Sequence, residues 1–344
     1  MRRKIIFASV LMSWFTFYKG QDIENLSLSQ AFEVAKQNNA KVMISKIDEE
    51  KSKAEYKKMD AIFLPQVSLG YTAMATNNPL NAFGFLLQQE TVTAMDFDPN
   101  KLNDPGNSMD FMLKAEVKQP LLNLDMLYAR KARGKQQEIY QHQTQRTEDY
   151  ILFEVEKAYL QLQYSYLSQE ILKSSLEDVQ NIYKLVNNFY QQGLIQKSDV
   201  LNAKVQVNTI ETLLQKTKSS VLNSQDQLKL QMGVENEATF EVEPFSQYAT
   251  LAKEEDLSMN RSDIMAMNKM IEASDIMIKS SKMSFLPKLN AFASYQLNDS
   301  NLFGFNANSY LAGISLQWNI FSGNQIKNDI KIQNIEKSKR EEEL

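Results

Sequence analysis

The ionisable side chains of this sequence are arranged for contact with water rather than for catalysis. His142 is the only histidine and the 344 residues include no cysteine, so the usual ligands of a zinc site and a thiol nucleophile are missing. The acidic runs at 48–50 and 341–343 consist of adjacent residues, whose side chains point in different directions and do not form an acid and base pair. The sequence therefore predicts no enzyme activity, no cofactor and no resident metal.

Charged residues do follow one regular pattern, at every second position of a short segment. Lys114, Glu116 and Lys118 alternate with apolar residues between positions 111 and 117. Because successive side chains of a strand point to opposite faces, this pattern predicts a strand with one face in water and the other in lipid. These three residues, with Gln317 of a later segment, are candidates for facing the lumen of a channel. A wetted face of mixed charge with no role in selectivity is the alternative.

The alternating segments belong to a unit that occurs twice. Phe63-Leu64-Pro65 ends a helical run and precedes an alternating segment, and Phe285-Leu286-Pro287 repeats this arrangement. A repeated switch from helix to strand indicates an internal duplication, with Pro65, Pro120 and Pro287 as the predicted switch points. The four predicted strands are residues 66–73, 111–118, 289–296 and 310–320. Turn-forming residues between 76 and 109 predict a long loop between the first two strands.

The remaining sequence is predicted to be largely helical. Residues 29–62 lack Gly and Pro and predict one helix, and residues 264–282 predict the corresponding helix of the second copy. Between 124 and 232 there is no proline, and apolar residues recur at spacings of three and four, which predicts coiled-coil helices. Gly193 interrupts this pattern, and Ser198 and Asp199 have the residue types of a helix N-cap. The segment therefore predicts a long antiparallel helical hairpin.

The N-terminus has the features of a secretory signal. Arg2, Arg3 and Lys4 precede an apolar block at 5–17 that is too short to span a bilayer as a mature helix. Residues 1–20 are thus predicted to be a signal peptide, and removing their four basic residues moves the formal charge from −4 to −8. An acidic exported chain is not expected to bind nucleic acid. No later segment has the length of apolar sequence that a transmembrane helix needs, so if the chain spans a membrane it does so with its strands.

Four strands are too few to close a sheet within one chain. The smallest single-chain membrane barrels have about eight strands, and an open edge in lipid leaves backbone groups unpaired at several kcal/mol each. A cyclic assembly in which each copy contributes four strands satisfies these groups. Three copies give a twelve-stranded barrel.

Several segments together resemble the TolC-type outer-membrane efflux channels. The resemblance covers nearly the whole mature chain. It is carried by the repeated Leu-Pro switches at 64–65 and 286–287, by the residues that close each strand pair at 119–122 and 318–323, and by the hairpin turn at 189–203. In that turn an aromatic residue, a glycine and an Asp-Val-Leu sequence follow one another, and Tyr190, Gly193, Asp199 and Leu201 are the matching positions.

The resemblance implies a mixed α and β membrane protein with four transmembrane strands per protomer. Members of the family are homotrimers in which a twelve-stranded barrel continues into an α-helical tunnel of long periplasmic coiled-coil helices. The implied location is the outer membrane of a Gram-negative bacterium, in contact with outer-membrane lipid and extending into the periplasm. The implied partners are a periplasmic adaptor, contacted by the four matched residues of the turn, and an inner-membrane pump. The implied function is passive export of drugs, metal ions or proteins in a tripartite efflux or type I secretion system.

The resemblance also predicts the domain organisation. Residues 21–258 correspond to the first repeat, and residues 259–344 correspond to an incomplete second repeat. The second long hairpin of the family is not represented in this sequence, so the expectation is a truncated member and no gate residues are assigned. The alternative function is a periplasmic coiled-coil scaffold or adaptor without a pore, which accounts for the helices but not for four amphipathic strands.

Overall fold

The computed structural model describes residues 25–235, 240–244 and 260–344. The described residues form two compact units, one within 25–44 and 147–244 and the other within 45–146 and 260–344. We call them the first and second units. The predicted signal peptide and the predicted repeat boundary at 258 lie outside the described residues, so the repeat limits stay a prediction.

The secondary structure alternates long helices with strands. The helices are α1 (Leu28–Asn38), α2 (Ala40–Lys58), α3 (Pro79–Gln88), α4 (Pro99–Asn103), α5 (Leu124–Gln191), α6 (Lys197–Met232), α7 (Ser262–Met283) and α8 (Gln325–Glu343). The strands are β1 (Asn25–Leu26), β2 (Gln66–Thr76), β3 (Ser108–Leu122), β4 (Glu241–Val242), β5 (Lys288–Asp299) and β6 (Ala307–Gln317). The two very long helices of the predicted hairpin are confirmed as α5 and α6. Among the helices that the structure describes, none combines the length and apolarity needed to cross a membrane.

The predicted single helix at 29–62 is wrong, because Asn39 divides it into α1 and α2. Asn39 has an extended backbone (φ −65°, ψ 123°), and its side-chain Oδ1 accepts a hydrogen bond from the Lys41 N–H at 2.9 Å. Its Nδ2 also donates to the Gln231 carbonyl at 2.7 Å. A short polar side chain that binds the neighbouring backbone competes with the helical hydrogen bonds, so α2 begins anew after it. Ser27 begins α1 by a reciprocal capping box with Gln30.

The core of the first unit lies where α1, α5 and α6 meet β1 and β4. Val155, Tyr159 and Leu162 of α5 pack there with Val221 and Leu228 of α6. All five are almost completely buried and are spaced by three, four or seven residues along their helices, as expected for an apolar stripe on each helix. The stripes of the two helices therefore supply the interior of this unit.

The Tyr159 hydroxyl links β1 to the segment after β4. It donates to the Leu26 carbonyl at 2.8 Å and accepts from the Glu243 N–H at 3.2 Å, inside the core. One turn further along α5, Gln163 donates to the Glu243 carbonyl at 2.7 Å. Burial of these backbone groups is favourable only because each has a partner, so the two side chains fix the short parallel β1–β4 pair on the helices.

The second unit contains a four-stranded antiparallel sheet in the order β2-β3-β5-β6. The β3–β5 pair joins the two sequence repeats, and β2 and β6 are the edge strands. Residues in register lie on the same face, so Glu116 shares one face with Ser68 and Ser294, whereas Ala115 shares the other with Leu69 and Tyr295. We call these the polar face and the apolar face. The alternation read from the sequence is confirmed.

Three details of the predicted strands are corrected. The connection between β2 and β3 is not a plain loop, because it contains α3 and α4. Pro120 does not end its strand: β3 continues to Leu122, with a register irregularity between Pro120 and Leu122 that accommodates a residue lacking an N–H. The last strand ends at Gln317 and not at Ile320.

Phe292 breaks the alternation of β5, and the structure supplies the reason. Its register partner on β6 is Gly313, on the polar face. A Cβ placed on Gly313 would be 3.0 Å from the Phe292 ring. The ring therefore occupies the space that a side chain at position 313 would need. A large apolar residue on this face is compensated by the absence of its neighbour's side chain.

Gly233 and Gly193 provide a matched pair of substitutions. Both have left-handed backbone (φ +71° and +76°), which costs a non-glycine residue about 1–2 kcal/mol. A Cβ at Gly193 meets nothing within 4 Å, whereas at Gly233 it would lie 2.4 Å from the Asn38 carbonyl oxygen. We expect Gly233→Ala to lower the free energy of unfolding by about 1–3 kcal/mol more than Gly193→Ala, measured by urea titration in detergent. Equal losses would contradict the close packing at Gly233.

A second prediction concerns the Tyr159 hydroxyl. Tyr159→Phe removes a donor from the Leu26 carbonyl and an acceptor from the Glu243 N–H, and both groups stay in the core. We expect a loss of about 1–3 kcal/mol in the free energy of unfolding, followed by the same urea titration. Tyr164→Phe is the control, because that ring on the same helix is 64% exposed. A loss of similar size in both variants would show that the buried hydroxyl has no special role.

Candidate functional site

The middle of the polar face is occupied by the three charged residues of β3. The Glu116 carboxylate lies 3.2 Å from Lys118 Nζ and 4.0 Å from Lys114 Nζ, so two lysines share one carboxylate. Their register neighbours on β2 and β5 are uncharged, as for Ser68 and Ser294 beside Glu116. The three side chains remain partly or well exposed. Exposed ion pairs of this kind contribute little to stability, so this row is a hydrated surface with one excess positive charge.

Gln317, the fourth residue predicted to face a lumen, lies at the end of the polar face where β5 begins and β6 ends. It is in register with Lys288, whose Nζ is 2.5 Å from Asp125 Oδ2. Ser280 of α7 donates to the Asp125 carbonyl at 2.7 Å. Ion pairing therefore ties the first residue of β5 to the start of α5. Lys288 and Asp125 were not identified from the sequence, because each is a single charged residue outside any pattern.

The apolar face of the sheet is open. Val67 of β2 is 72% exposed and Tyr310 of β6 is 84% exposed, although both belong to regular strands. Leu69, Ile314 and Leu316 are exposed on the same face. A contiguous apolar surface of this kind marks a contact with lipid or with another protein. The edges of the sheet are likewise unpaired on β2 and β6 within the described residues.

The connection from β2 to β3 contains a polar cluster around Asp96, in the segment between α3 and α4. Asp96 accepts hydrogen bonds from the Thr93 N–H and from the Thr93 hydroxyl, both at 2.7 Å, and its other oxygen is 2.6 Å from Lys101 Nζ. The bond from Lys101, followed by those from Thr93, lowers the pKa of Asp96 to about 2. The cluster therefore holds the segment between α3 and α4 in one conformation while Asp96 is ionised.

The hairpin turn is formed as the sequence predicts, with Gly193 at its centre. The Gly193 N–H donates to the Tyr190 carbonyl at 2.9 Å and the Leu194 N–H to the Phe189 carbonyl at 3.0 Å, which is the pattern of a helix ended by a left-handed glycine. The predicted N-cap is wrong. Gln196 precedes α6, and Asp199 is the third helical residue, whose side chain accepts from the Gln196 N–H at 3.0 Å. Asp199 thus still stabilises the helix start.

The matched residues around this turn are exposed in the chain. Tyr190 and Leu201 are at least two-fifths exposed, and Leu194 at the turn is exposed further. The hairpin thus ends in apolar side chains that are partly or largely exposed in the described chain. The predicted contact of Tyr190, Gly193, Asp199 and Leu201 with an adaptor stays a prediction.

The switch prolines differ in their surroundings. Pro65 lies between the 3₁₀ turn at Met59–Phe63 and β2, and Pro287 lies between α7 and β5, as predicted. Each follows a leucine and precedes the first paired residue of its strand. Pro120, in contrast, is within β3. Two of the three prolines therefore mark the change from helix to strand.

These features define a class of protein: a chain with an amphipathic antiparallel sheet, open on its apolar face and at both edges, joined to a long helical hairpin. A family model described as outer membrane efflux protein matches residues 31–234, which is more than half of the chain. The chain belongs to this family, and the resemblance to TolC-type channels is confirmed. The family is one of transport proteins rather than of enzymes. No curated protein sequence matches the chain.

Solved structures of outer-membrane channels have the same fold. CusC superposes with a TM-score of 0.76 at 14% identity, covering 95% of this chain and 74% of CusC. The CmeC outer membrane channel of Campylobacter jejuni gives a TM-score of 0.72 at 14% identity and covers 91% and 66% of the two chains. VceC of Vibrio cholerae gives 0.71 at 16% identity, covering 91% and 73%. At these identities the likeness establishes the fold.

The cluster at Asp96 generates a pH prediction. Its pKa is about 2, below the ordinary 3.8, so its contribution to local stability is complete above about 3.8 and is lost as the pH falls towards about 2. We expect the protection of the Thr93 amide from hydrogen exchange to fall over this range. Asp96→Asn should remove that pH dependence and leave low protection throughout. Asp104→Asn, at an exposed site in the same connection, is the control and should retain the dependence. A flat profile in the unmodified protein would refute the assignment.

Proposed function

We propose that this chain is the outer-membrane channel component of an export system, in which three copies form a passive, water-filled path. The observation that carries the proposal is the four-stranded sheet with one polar face, one open apolar face and two unpaired edges. Such a sheet suits lipid on one side and water on the other only when its edges are paired. The scaffold alternative leaves this sheet without a role.

The topology supports closure by copies of the same chain. Each pairing in the sheet is antiparallel, so β2 and β6 run in opposite directions. The β6 edge of one copy can thus pair with the β2 edge of the next in the same antiparallel manner as every pair within the chain. The strands contain 11, 15, 12 and 11 residues, enough for tilted strands to cross a bilayer. Three copies provide twelve strands, an even number as in other bacterial barrels.

The helical hairpin supports an extension away from the membrane. At 1.5 Å per residue, the 68 residues of α5 span roughly 100 Å. Side by side, the helices of three copies would form a periplasmic tunnel. The exposed apolar residues at the hairpin turn, Tyr190 and Leu201 among them, then contact a periplasmic adaptor that links the channel to an inner-membrane pump. The pump supplies the energy, and the cargo is a drug, a metal ion or a protein.

Pairing between copies is testable because the chain contains no cysteine. Gly70→Cys on β2, which has open space for a side chain, is combined with one cysteine on β6 at Ser309, Leu311 or Ser315 in turn. Within one chain, β2 and β6 are separated by about 14 Å, too far for a disulfide. We expect oxidation in outer membranes to yield covalent dimers and trimers for at least one β6 position.

The control for this experiment is the single variant Gly70→Cys, which should stay uncrosslinked because a cyclic assembly keeps the β2 strands apart. The purified protein in planar lipid bilayers should also show ion conductance. Only uncrosslinked chains at every position, together with a water-soluble monomer that does not conduct, would refute the channel and favour the scaffold.

A further inference from the structure

The helix α3 lies on the polar face of the sheet. It contacts β3 and β6, two strands that are separated by β5. Asn298 and Ala307 are register partners on the polar face, and Asp110 lies on the same face, two residues along β3 from Met112, the register partner of Asn298. Their exposures are 1%, 1% and 0%, whereas the remainder of β6 is largely exposed. The burial of these residues, together with the hydrogen bond from Gln89 directly after α3 to the Asp110 carboxylate, identifies the polar face as the one on which α3 lies.

A buried carboxylate holds this helix in place. Gln89, directly after α3, donates from Nε2 to Asp110 Oδ1 at 3.0 Å and to the Met109 carbonyl at 2.8 Å. Asn298 donates to the other oxygen of Asp110 at 2.9 Å. Hydrogen bonds are electrostatically stronger where water is excluded, as it is around the completely buried Asp110. We call Gln89, Asp110 and Asn298 the latch.

The side of α3 that points away from the sheet is apolar. The helix has the sequence PLNAFGFLLQ and carries no charge. Leu80 is 81% exposed and Leu87 is 56% exposed. These side chains are thus directed away from the sheet on its water-facing side, where the neighbouring rows carry Lys114 and Glu116. An apolar surface in a water-filled path narrows it and disfavours its hydration.

We propose that α3 is a constriction that sets the size of solute able to leave the channel, with Leu80 and Leu87 at its narrow point and the latch holding it closed. The inference rests on the proposed function, because the polar face lines the path only in the assembled channel. Each copy places one α3 at the loop end of its sheet, so three such helices converge on the path. The constriction therefore selects solutes by size, independently of the charged residues Lys114, Glu116 and Lys118 on β3.

The test measures the conductance of the full-length chain in planar bilayers with uncharged polyethylene glycols of graded size as probes. Polymers that enter the path lower its conductance, so the largest effective polymer gives the size limit. We expect the double variant Leu80→Ala and Leu87→Ala to raise both conductance and size limit. Gln89→Ala should shift the ratio of open to constricted states by about tenfold or more, since it removes a hydrogen bond to a charged group.

The matched control is Asn81→Ala, which changes an exposed side chain of the same helix outside the latch. It should leave conductance and size limit unchanged. If the unmodified protein conducts and both the leucine variant and Gln89→Ala keep its size limit, the constriction is refuted while the channel stands. If neither the unmodified protein nor any of these variants conducts although the β2 and β6 cysteines crosslink, the constriction is refuted. If those cysteines also stay uncrosslinked, the proposed function itself is refuted. The leucine variant changes exposed side chains only, so it preserves the fold even where the latch variant weakens it.

Discussion

The two edges of the sheet, unpaired within the described residues, are the constraint from which the proposed assembly follows. Each N–H and C=O on the outer side of β2 and β6 needs a partner, and in hydrocarbon an unpaired group costs several kcal/mol. Water satisfies these groups at the surface of a soluble protein, but the exposed apolar side chains beside them favour lipid. An even number of alternating strands resolves both demands, because copies can then join edge to edge without a parallel pair. The number and directions of the strands in one chain thus determine how copies of it can join.

The long helices also carry groups that need a partner, in their case apolar side chains rather than backbone groups. Within the described part of the chain, α5 carries exposed apolar side chains, among them Phe153, Tyr164 and Ile171. Further along its apolar stripe, Val179 and Val186 are only half-buried. Two helices alone bury one side of each other, so a long hairpin with apolar residues on further sides is incomplete as a monomer. In the proposed channel the hairpins of neighbouring copies cover these side chains.

The sequence was informative where one physical period dominates. Apolar residues recur at every second position in β2 and β3 and at spacings of three and four in α5, because one face of each element is buried and the other is wetted. These elements were therefore predicted from the residues alone. The missed features depend on contacts between distant residues. The Asn39 side chain that interrupts a helix is also bonded to the distant Gln231 carbonyl, and Pro120 stays in its strand through a shifted register with β5. Gln89 and Asp110 are unremarkable in sequence, since only the folded sheet brings Asn298 to them.

The polar face changes its character along the strands, which in the proposed channel separates size restriction from charge preference. At the helix end, Lys288 is paired with Asp125, and in the middle Lys114 and Lys118 share Glu116 in contact with water. At the loop end, Asp110 is completely buried and accepts a hydrogen bond from Gln89, which directly follows α3. Exposed ion pairs keep their hydration shells and so impose only a small barrier to a passing solute. A helix that lies on this face, in contrast, reduces the volume of the path. Size restriction at the loop end and weak charge preference along the rest are therefore separate properties, set by different residues of the same face.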